Sequence, residues 1–429
     1  MRTVIIASGS RGDVEPYVAL GRGLRQAGHG VRLVTHENYA SLVGAQGIEF
    51  WPVEGNAQDV AMSAEMRDRI AGGNFLSIMA LMAKEAERGA LHMARGALGA
   101  CAGADLLLAG IGGLFTGVAL AEKLGLPFVQ AYYIPFTPTR AYPSFLLPGA
   151  PALPGALNRL SYHLARQVMW QGFRRADSVA RGQVLDLPPA PLFGPFDSRS
   201  TRGCPVLYGY SPAVIPPPPD WDGDVHVTGY WFLDPPADWT PSPALVAFLE
   251  AGPPPIYVGF GSMGSRNPQE MADMVLQAVA KANQRAILLS GWGGLNAAAV
   301  PDSVLVLDAA PFAWLFPRVA AVVHHGGAGT TAAGLRAGVP SIVVPFFGDQ
   351  PFWGRRVAEL GTGPAPIPQK KLTAGRLAAA IERAVTDDKM RQRAADLGKR
   401  IQAEDGIARA VRIITDAVES RGCWGAQDG

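Results

Sequence analysis

The most informative chemistry in this 429-residue chain is carried by His324-His325, which stand directly before Gly326-Gly327-Ala328-Gly329-Thr330-Thr331. A short apolar run precedes the pair and a helical pattern follows, so the glycines lie at a strand-to-helix junction. Bare backbone amides at such a junction can approach an anion closely, and the helix adds the positive end of its dipole. Two imidazoles and the hydroxyls of Thr330 and Thr331 complete a donor cluster suited to a diphosphate that gains negative charge as it leaves. Adjacent strand residues point to opposite faces, which singles out His325, the imidazole touching the glycines, as the one facing the loop. The alternative for either ring is a strand-end histidine hydrogen-bonded in the core.

Two more junctions are glycine-rich, Gly9-Ser10-Arg11-Gly12 near the amino terminus and Gly259-Phe260-Gly261-Ser262-Met263-Gly264 in the second half. Either is a candidate phosphate loop or simply a tight turn. Gly259, Gly261 and Gly264 have the G-x-G-x-x-G spacing of a dinucleotide fold, which raises a nicotinamide or flavin oxidoreductase. That fold expects an acid about 20 residues on, at the end of the next strand, to hold the ribose hydroxyls. Here the strand ends in Leu289-Ser290-Gly291-Trp292. No Walker-type lysine follows any of the three loops, which disfavours an ATPase.

The run from His324 to Thr331, continued by Ala333-Gly334-Leu335-Arg336-Ala337-Gly338-Val339-Pro340 and by Pro345-Phe346-Phe347-Gly348-Asp349-Gln350-Pro351-Phe352-Trp353, closely resembles family 1 glycosyltransferases. Within them it is most similar to the sterol glucosyltransferase branch and to bacterial enzymes that glycosylate macrolides, glycopeptides and other natural products. Gly9-Ser10-Arg11-Gly12-Asp13-Val14-Glu15-Pro16 looks like the amino-terminal signature of the same branch. The resemblance implies the GT-B fold, an inverting hexosyltransferase, a nucleotide diphosphate sugar as donor, UDP-glucose as best guess, and a lipophilic acceptor such as a sterol or polyketide. A dTDP-deoxysugar enzyme of antibiotic synthesis is the near alternative. A non-catalytic nucleotide-sugar or lipid-binding protein is the alternative of another class.

By that resemblance Ser10, Ser262, His325, Gly327, Ala328, Gly329 and Thr330 would hold the donor diphosphate. Met263, Trp292, Ala310 and Pro311 would contact the nucleotide, and Asp349 and Gln350 the sugar hydroxyls. A carboxylate and an amide suit that last task, although Asp349 also reads as a cap for a helix over Pro351 to Leu360. Many relatives use a histidine as base near the amino terminus, oriented by a distant aspartate. No histidine occurs between Met1 and Gly28, so Asp13 is the candidate general base, facing the cleft from a strand-to-helix corner. The alternative for Asp13 is the N-cap of a helix starting near Pro16. Asp222-Gly223-Asp224 has the letters of a metal-binding D-x-D, but it sits among prolines and reads as a solvated turn. No metal or other cofactor is expected.

The elements that must place these residues follow from apolar patterning. Short Val/Ile/Leu runs alternate with amphipathic segments, as in parallel strands with crossover helices. Strands are expected at 3–7, 31–35, 105–109 and 128–131 in the first half, with a helix such as 15–27 between them. The second half has them at 256–260, 286–289, 304–307, 321–324 and 341–344. The fold class is α/β, two Rossmann-like doubly wound domains facing a central cleft. Residues 1–215 are expected to form an acceptor-binding domain, 216–240 with its four consecutive prolines an interdomain linker, 241–406 a nucleotide-sugar domain, and 407–429 a terminal helix whose apolar spacing would let it pack back on the first domain, although the sequence does not show where it docks.

The 38 basic and 36 acidic residues nearly cancel, which excludes the global field of a nucleic-acid binder. Three cysteines without ligand spacing argue against a disulfide framework or a zinc site and for a reducing compartment, the cytoplasm. The apolar run Val4 to Ala7 is too short for a signal-peptide core, and Leu106 to Ala121 too short and too glycine-rich for a membrane span. Phe75, Met79, Met82, Phe136 and Phe145 lie in apolar connections that suit an acceptor pocket. The segment 160–181 mixes Tyr162, Met169, Trp170 and Phe173 with Arg166, Arg174, Arg175 and Arg181, next to Arg159, which suits weak peripheral membrane contact or a solvated helix face.

Overall fold

The computed structural model describes residues 1–55, 59, 63–72, 75–147, 153–196, 201–236, 238–260, 268–289 and 300–419. It divides into two compact units: Met1–Val60 with Leu76–Leu233 and Glu404–Gly429, and Ala61–Phe75 with Asp234–Ala403.

The first unit is built on a parallel sheet of β1 (Arg2–Ile6), β2 (Gly30–His36), β3 (Glu49–Val53), β4 (Leu106–Ala109), β5 (Phe128–Tyr132), β6 (Val206–Tyr208) and β7 (Val225–Val227), in the order β3-β2-β1-β4-β5-β6-β7. The inner strands are apolar on both faces because helices cover both, which is why they read as continuous runs. Helix α1 (Arg11–Gln26) follows β1, and α2 (Phe75–Ala100), α3 (Leu114–Leu124) and α4 (Gly155–Ala180) make the longer crossovers. The core on one face joins Ile5, Leu33, Leu108 and Val129 to Val14, Val18 and Leu24 of α1. The last helix of the chain belongs to this core as well, through Ala410, Val411 and Ile414.

The second unit carries a parallel sheet of β8 (Ile256–Gly259), β9 (Ala286–Leu289), β10 (Val304–Leu307), β11 (Ala321–His324) and β12 (Ser341–Val343), ordered β10-β9-β8-β11-β12. Alternate residues feed two cores, as a pleated strand requires. Ile256, Val258 and Val323 pack on one face with Val275 and Val279 of α5 (Pro268–Lys281), while Tyr257, Ile287 and Val322 meet Leu315 and Phe316 on the other. Helices α6 (Ala328–Ala337) and α7 (Gln350–Glu359) follow β11 and β12, and α8 (Gly406–Glu419) is the terminal helix packed on α1.

Three strands were not expected from sequence, and one of them, β7, lies inside the stretch read as linker. Asp222-Gly223-Asp224 is the turn that leads into it, closed by the Asp222 carboxylate accepting from the Asp224 amide at 3.3 Å. Helix α1 begins at Arg11, four residues before the expected start, because a closed first turn at Ser10 and Asp13 caps it there. Cys204 is disulfide-bonded, which corrects the reading of uncrosslinked thiols, and Cys101 is free and buried. No helix among the described residues is long and apolar enough to cross a membrane.

Candidate active site

In each sheet the strand order reverses once, between β1 and β4 in the first unit and between β8 and β11 in the second. Open α/β sheets bind ligands beyond the carboxyl ends of the strands at such a reversal. The loops after β1 and β11, carrying Ser10 with Asp13 and the histidine-glycine run, occupy those places.

At the end of β11, His324 pairs in register with Gly259 of β8 and Val343 of β12, so three strand ends converge there. His324 is fully buried, and its Nδ1 accepts from the Gly326 amide at 3.0 Å. That bond leaves the proton on Nε2 and makes His324 the structural member of the pair. His325 turns the other way, its ring plane at 87° to that of His324. Its ring lies against the α-carbon of Gly327, where a β-carbon would collide with Nε2. Its Nδ1 is buried with no hydrogen-bond partner among the described residues. Burial lowers the His325 imidazole to about 4. Burial, and then the neighbouring His325, lowers His324 to about 3. Both rings are neutral near pH 7, and a neutral imidazole can donate one hydrogen bond to a phosphate oxygen.

Gly327 is the N-cap of α6. The amides of Ala328, Gly329 and Thr330 belong to the first turn, whose N–H groups have no intrahelical acceptor. With the helix dipole they make an anion site. Thr331, expected to donate alongside Thr330, is fully buried and gives its hydroxyl to the Gly327 carbonyl at 2.9 Å. It closes the turn and takes no part in the donor cluster.

After β12 the chain reaches Asp349 and Gln350 at the start of α7. Gln350 is only 5% exposed, and its Oε1 accepts from the amides of Phe346 (2.8 Å) and Phe347 (3.2 Å). That carbonyl is therefore spent on holding the loop in shape. Asp349 holds the N-cap position without a side-chain cap bond; its carboxylate accepts instead from the Trp353 indole at 2.9 Å. Ala310 and Pro311 follow β10, with Pro311 capping the short helix Phe312–Leu315. Ser262, Met263 and Trp292 lie outside the described residues.

In the first unit, Ser10 is the N-cap of α1 and Asp13 its third residue. The Asp13 carboxylate accepts from the Ser10 amide at 2.7 Å and the Ser10 hydroxyl at 2.8 Å. Its other oxygen accepts from the Tyr133 hydroxyl. Asp13 is thus neither a free carboxylate nor an N-cap; it closes a capping box from inside the helix. Gly9 has φ +137°, and a β-carbon there would strike this carboxylate. The Tyr133 contact spans 120 residues and was not legible in sequence. Nor was Ser8, whose hydroxyl lies 3.0 Å from Nε2 of buried His36 at the end of β2.

The acceptor candidates differ in exposure. Phe136 is 1% exposed, in an aromatic cluster with Tyr132 (5.2 Å between centroids) and Phe196 (6.3 Å), capped by the Arg166 guanidinium at 5.1 Å. Phe145 is buried, Met79 half-buried near Gly172 of α4, and Met82 exposed. Phe75 opens α2, and its side chain lies outside the described residues. On α4 the structure reverses the expected face. Tyr162, Met169, Trp170 and Arg181 just beyond the helix point inward, while Leu157, Leu160, Leu164 and Val168 face solvent.

Comparison with known proteins shows the family and the fold. A family model described as the glycosyltransferase family 28 N-terminal domain matches residues 3–143, and one described as the erythromycin biosynthesis protein CIII-like C-terminal domain matches 273–414. A sterol 3-beta-glucosyltransferase of Arabidopsis thaliana is 37% identical over 423 residues, covering 96% of this chain and 67% of the relative. The chain belongs to the GT-B glycosyltransferases. A sterol 3-beta-glucosyltransferase of Aspergillus fumigatus is 38% identical over 427 residues, and this chain spans only 30% of its length. Among solved structures, the glycosyltransferase of kitacinnamycin matches with a TM-score of 0.70 at 20% identity, covering 97% of this chain and 99% of that one. Glycosyltransferase VinC, in complex with DTDP, matches with a TM-score of 0.66 at 20% identity, covering 98% and 100%. These two establish the fold, a pair of parallel α/β sheets. The amino-terminal model carries the family 28 designation where the sequence motifs suggested family 1.

Proposed function

We propose that this chain is an inverting hexosyltransferase that moves a sugar from a nucleotide diphosphate donor, UDP-glucose first, to a hydroxyl of a lipophilic acceptor. What carries the reading is the junction after β11: a neutral His325 packed on Gly327, beside the open first turn of α6. The second unit holds the donor. The amides of Ala328 to Thr330 and the His325 N–H take the charge that builds on the diphosphate as the bond to the anomeric carbon breaks. Asp349, oriented by the Trp353 indole, accepts from sugar hydroxyls. The first unit supplies the base. Asp13 takes the proton of the acceptor hydroxyl as its oxygen bonds to the anomeric carbon, and the nucleoside diphosphate leaves from the opposite face with inversion.

The sterol 3-beta-glucosyltransferases at 37–38% identity favour a sterol-like acceptor and glucose, whereas the DTDP held by VinC favours a deoxythymidine donor, which is the second reading. The reaction takes place without a divalent metal, since donor groups of the protein take the place of a cation at the diphosphate. The test is transfer from a panel of UDP- and dTDP-sugars to a mixed set of sterol, polyketide and phenolic acceptors, read by mass spectrometry with and without chelator. A hexose-shifted product that persists in chelator supports the reading. No product and no donor hydrolysis with any sugar nucleotide overturns it, and loss of product on chelation overturns the metal-free mechanism.

A further inference from the structure

Strands β1 and β2 are paired in register up to Ile6 and Val34, and the Ala7 amide still donates to the Val34 carbonyl at 3.0 Å. One step further the two chains are tied by side chains: the Ser8 hydroxyl lies 3.0 Å from Nε2 of His36, the last residue of β2. His36 is 7% exposed, and burial lowers its imidazole below the ordinary 6.5, so the ring is neutral near pH 7 and carries one proton. Its Nδ1 is buried and faces the backbone carbonyls of Val53 and Gly55, at the end of β3, without a well-formed bond to either. Carbonyls only accept, so they keep the proton on Nδ1 and leave a lone pair on Nε2. Ser8 therefore donates to His36. An apolar side chain would fill the same space, but it would leave the Ser8 hydroxyl free to turn.

The loop that His36 braces is the one that carries Asp13. Next to Ser8, Gly9 has φ +137°, and its carbonyl accepts from the hydroxyl of buried Tyr39 at 3.2 Å, a second tie from the turn just beyond β2. From the loop after β4, the backbone of Gly112 packs on the Ser8 carbonyl, close enough that any β-carbon there would collide. Gly9 in turn lies against the Asp13 carboxylate, which accepts from the Ser10 amide and hydroxyl. His36, Ser8, Gly9 and Asp13 form an unbroken line of contacts, so a shift at one end is passed to the other rather than absorbed.

We propose that His36, acting through Ser8, is a positioning residue for the Asp13 carboxylate during transfer. The proposal rests on the reading of Asp13 as base and adds what holds that base in place. Its test is steady-state transfer by the full chain, with a melting curve on each sample. Displacement of a reacting group by about 1 Å can cost about 10²-fold in rate, so Ser8→Ala and His36→Leu are each expected to lose about tenfold or more in kcat. Donor KM should not change, because the donor groups belong to the second unit. His36→Gln, whose amide oxygen can accept from Ser8 in place of Nε2, is expected to stay within about threefold of the parent. In an Asp13→Asn background the Ser8 and His36 substitutions are expected to add less than about twofold, since residues that act through one another are not additive. A merely structural role would instead lower melting temperature and kcat and raise donor KM together, in His36→Leu and His36→Gln alike. Parent-like kcat in Ser8→Ala, equal losses in the two His36 variants, or losses that multiply with that of Asp13→Asn would each overturn the proposal. Ser8→Ala, a change at a half-buried loop residue, carries the test should His36→Leu fail to fold. The base reading itself fails by a different result, Asp13→Asn with turnover near the parent's, and the proposal falls with it.

Discussion

Asp13 stands in both a structural and a chemical position, and Asp13→Asn separates the two by magnitude. The carboxylate accepts two bonds from Ser10 and one from Tyr133. An asparagine keeps one accepting oxygen, so the Ser10 amide can still be capped while one of the remaining donors loses its partner. The expected cost is about 1–2 kcal/mol, from a weakened cap and a lost charge-assisted bond. For a unit of this size each kcal/mol lowers the melting temperature by roughly 2–4 °C. Against a stability of about 5–15 kcal/mol the folded population at 25 °C stays close to complete. A purely structural role therefore predicts a loss in kcat of less than about twofold. General-base catalysis by a positioned carboxylate is worth about 10²- to 10⁴-fold, or roughly 2.7–5.4 kcal/mol of barrier. Steady-state transfer kinetics with a melting curve on the same sample decide the matter. Loss of two or more decades in kcat, with donor KM little changed and the melt shifted by only a few degrees, is the expected result. Turnover within twofold of the parent would refute Asp13 as base. Tyr133→Phe removes a donor but leaves the carboxylate, and should cost less than about tenfold.

The buried imidazoles of the second unit give it a pH signature. Their folded values, about 3 for His324 and about 4 for His325, lie below the ordinary 6.5, so the unfolded chain takes up protons first. Their contribution to stability is complete above pH 6.5 and is lost as pH falls toward 4, which urea titrations at pH 7 and pH 5 on the parent and His325→Gln would measure. An equal midpoint for the parent at both pH values would contradict this. Gln350→Ala should strand the amides of Phe346 and Phe347 at a cost of about 1–3 kcal/mol and raise donor KM by loosening the loop that carries Asp349; an unchanged melt would show that the amide holds nothing.

The buried strands β1, β2, β4, β5 and β8 to β12 were readable because parallel strands covered on both faces are apolar at every position, a pattern contained within a few consecutive residues. The glycine junctions were readable for the same reason, since a strand end, a turn and a helix start are neighbours in the chain. The missed strands are short or at an edge. Glu49–Val53 contains Pro52 and pairs on one side only, and Val206–Tyr208 and Val225–Val227 have three residues each, so their strand character comes from pairing with partners far away in sequence.

The same division runs through the site. That His325 and the glycines meet at a helix start followed from adjacency along the chain. The direction each side chain takes did not, because it depends on what packs against it. Thr331 turns in to the Gly327 carbonyl, Gln350 to the Phe346 amide, and Asp13 to a tyrosine 120 residues away. Periodicity marks α4 as amphipathic, but the rotation of a helix about its axis is set by its neighbours. Packing of Phe115 on Trp170, with centroids 5.1 Å apart, draws the aromatic side inward and leaves the leucines outside.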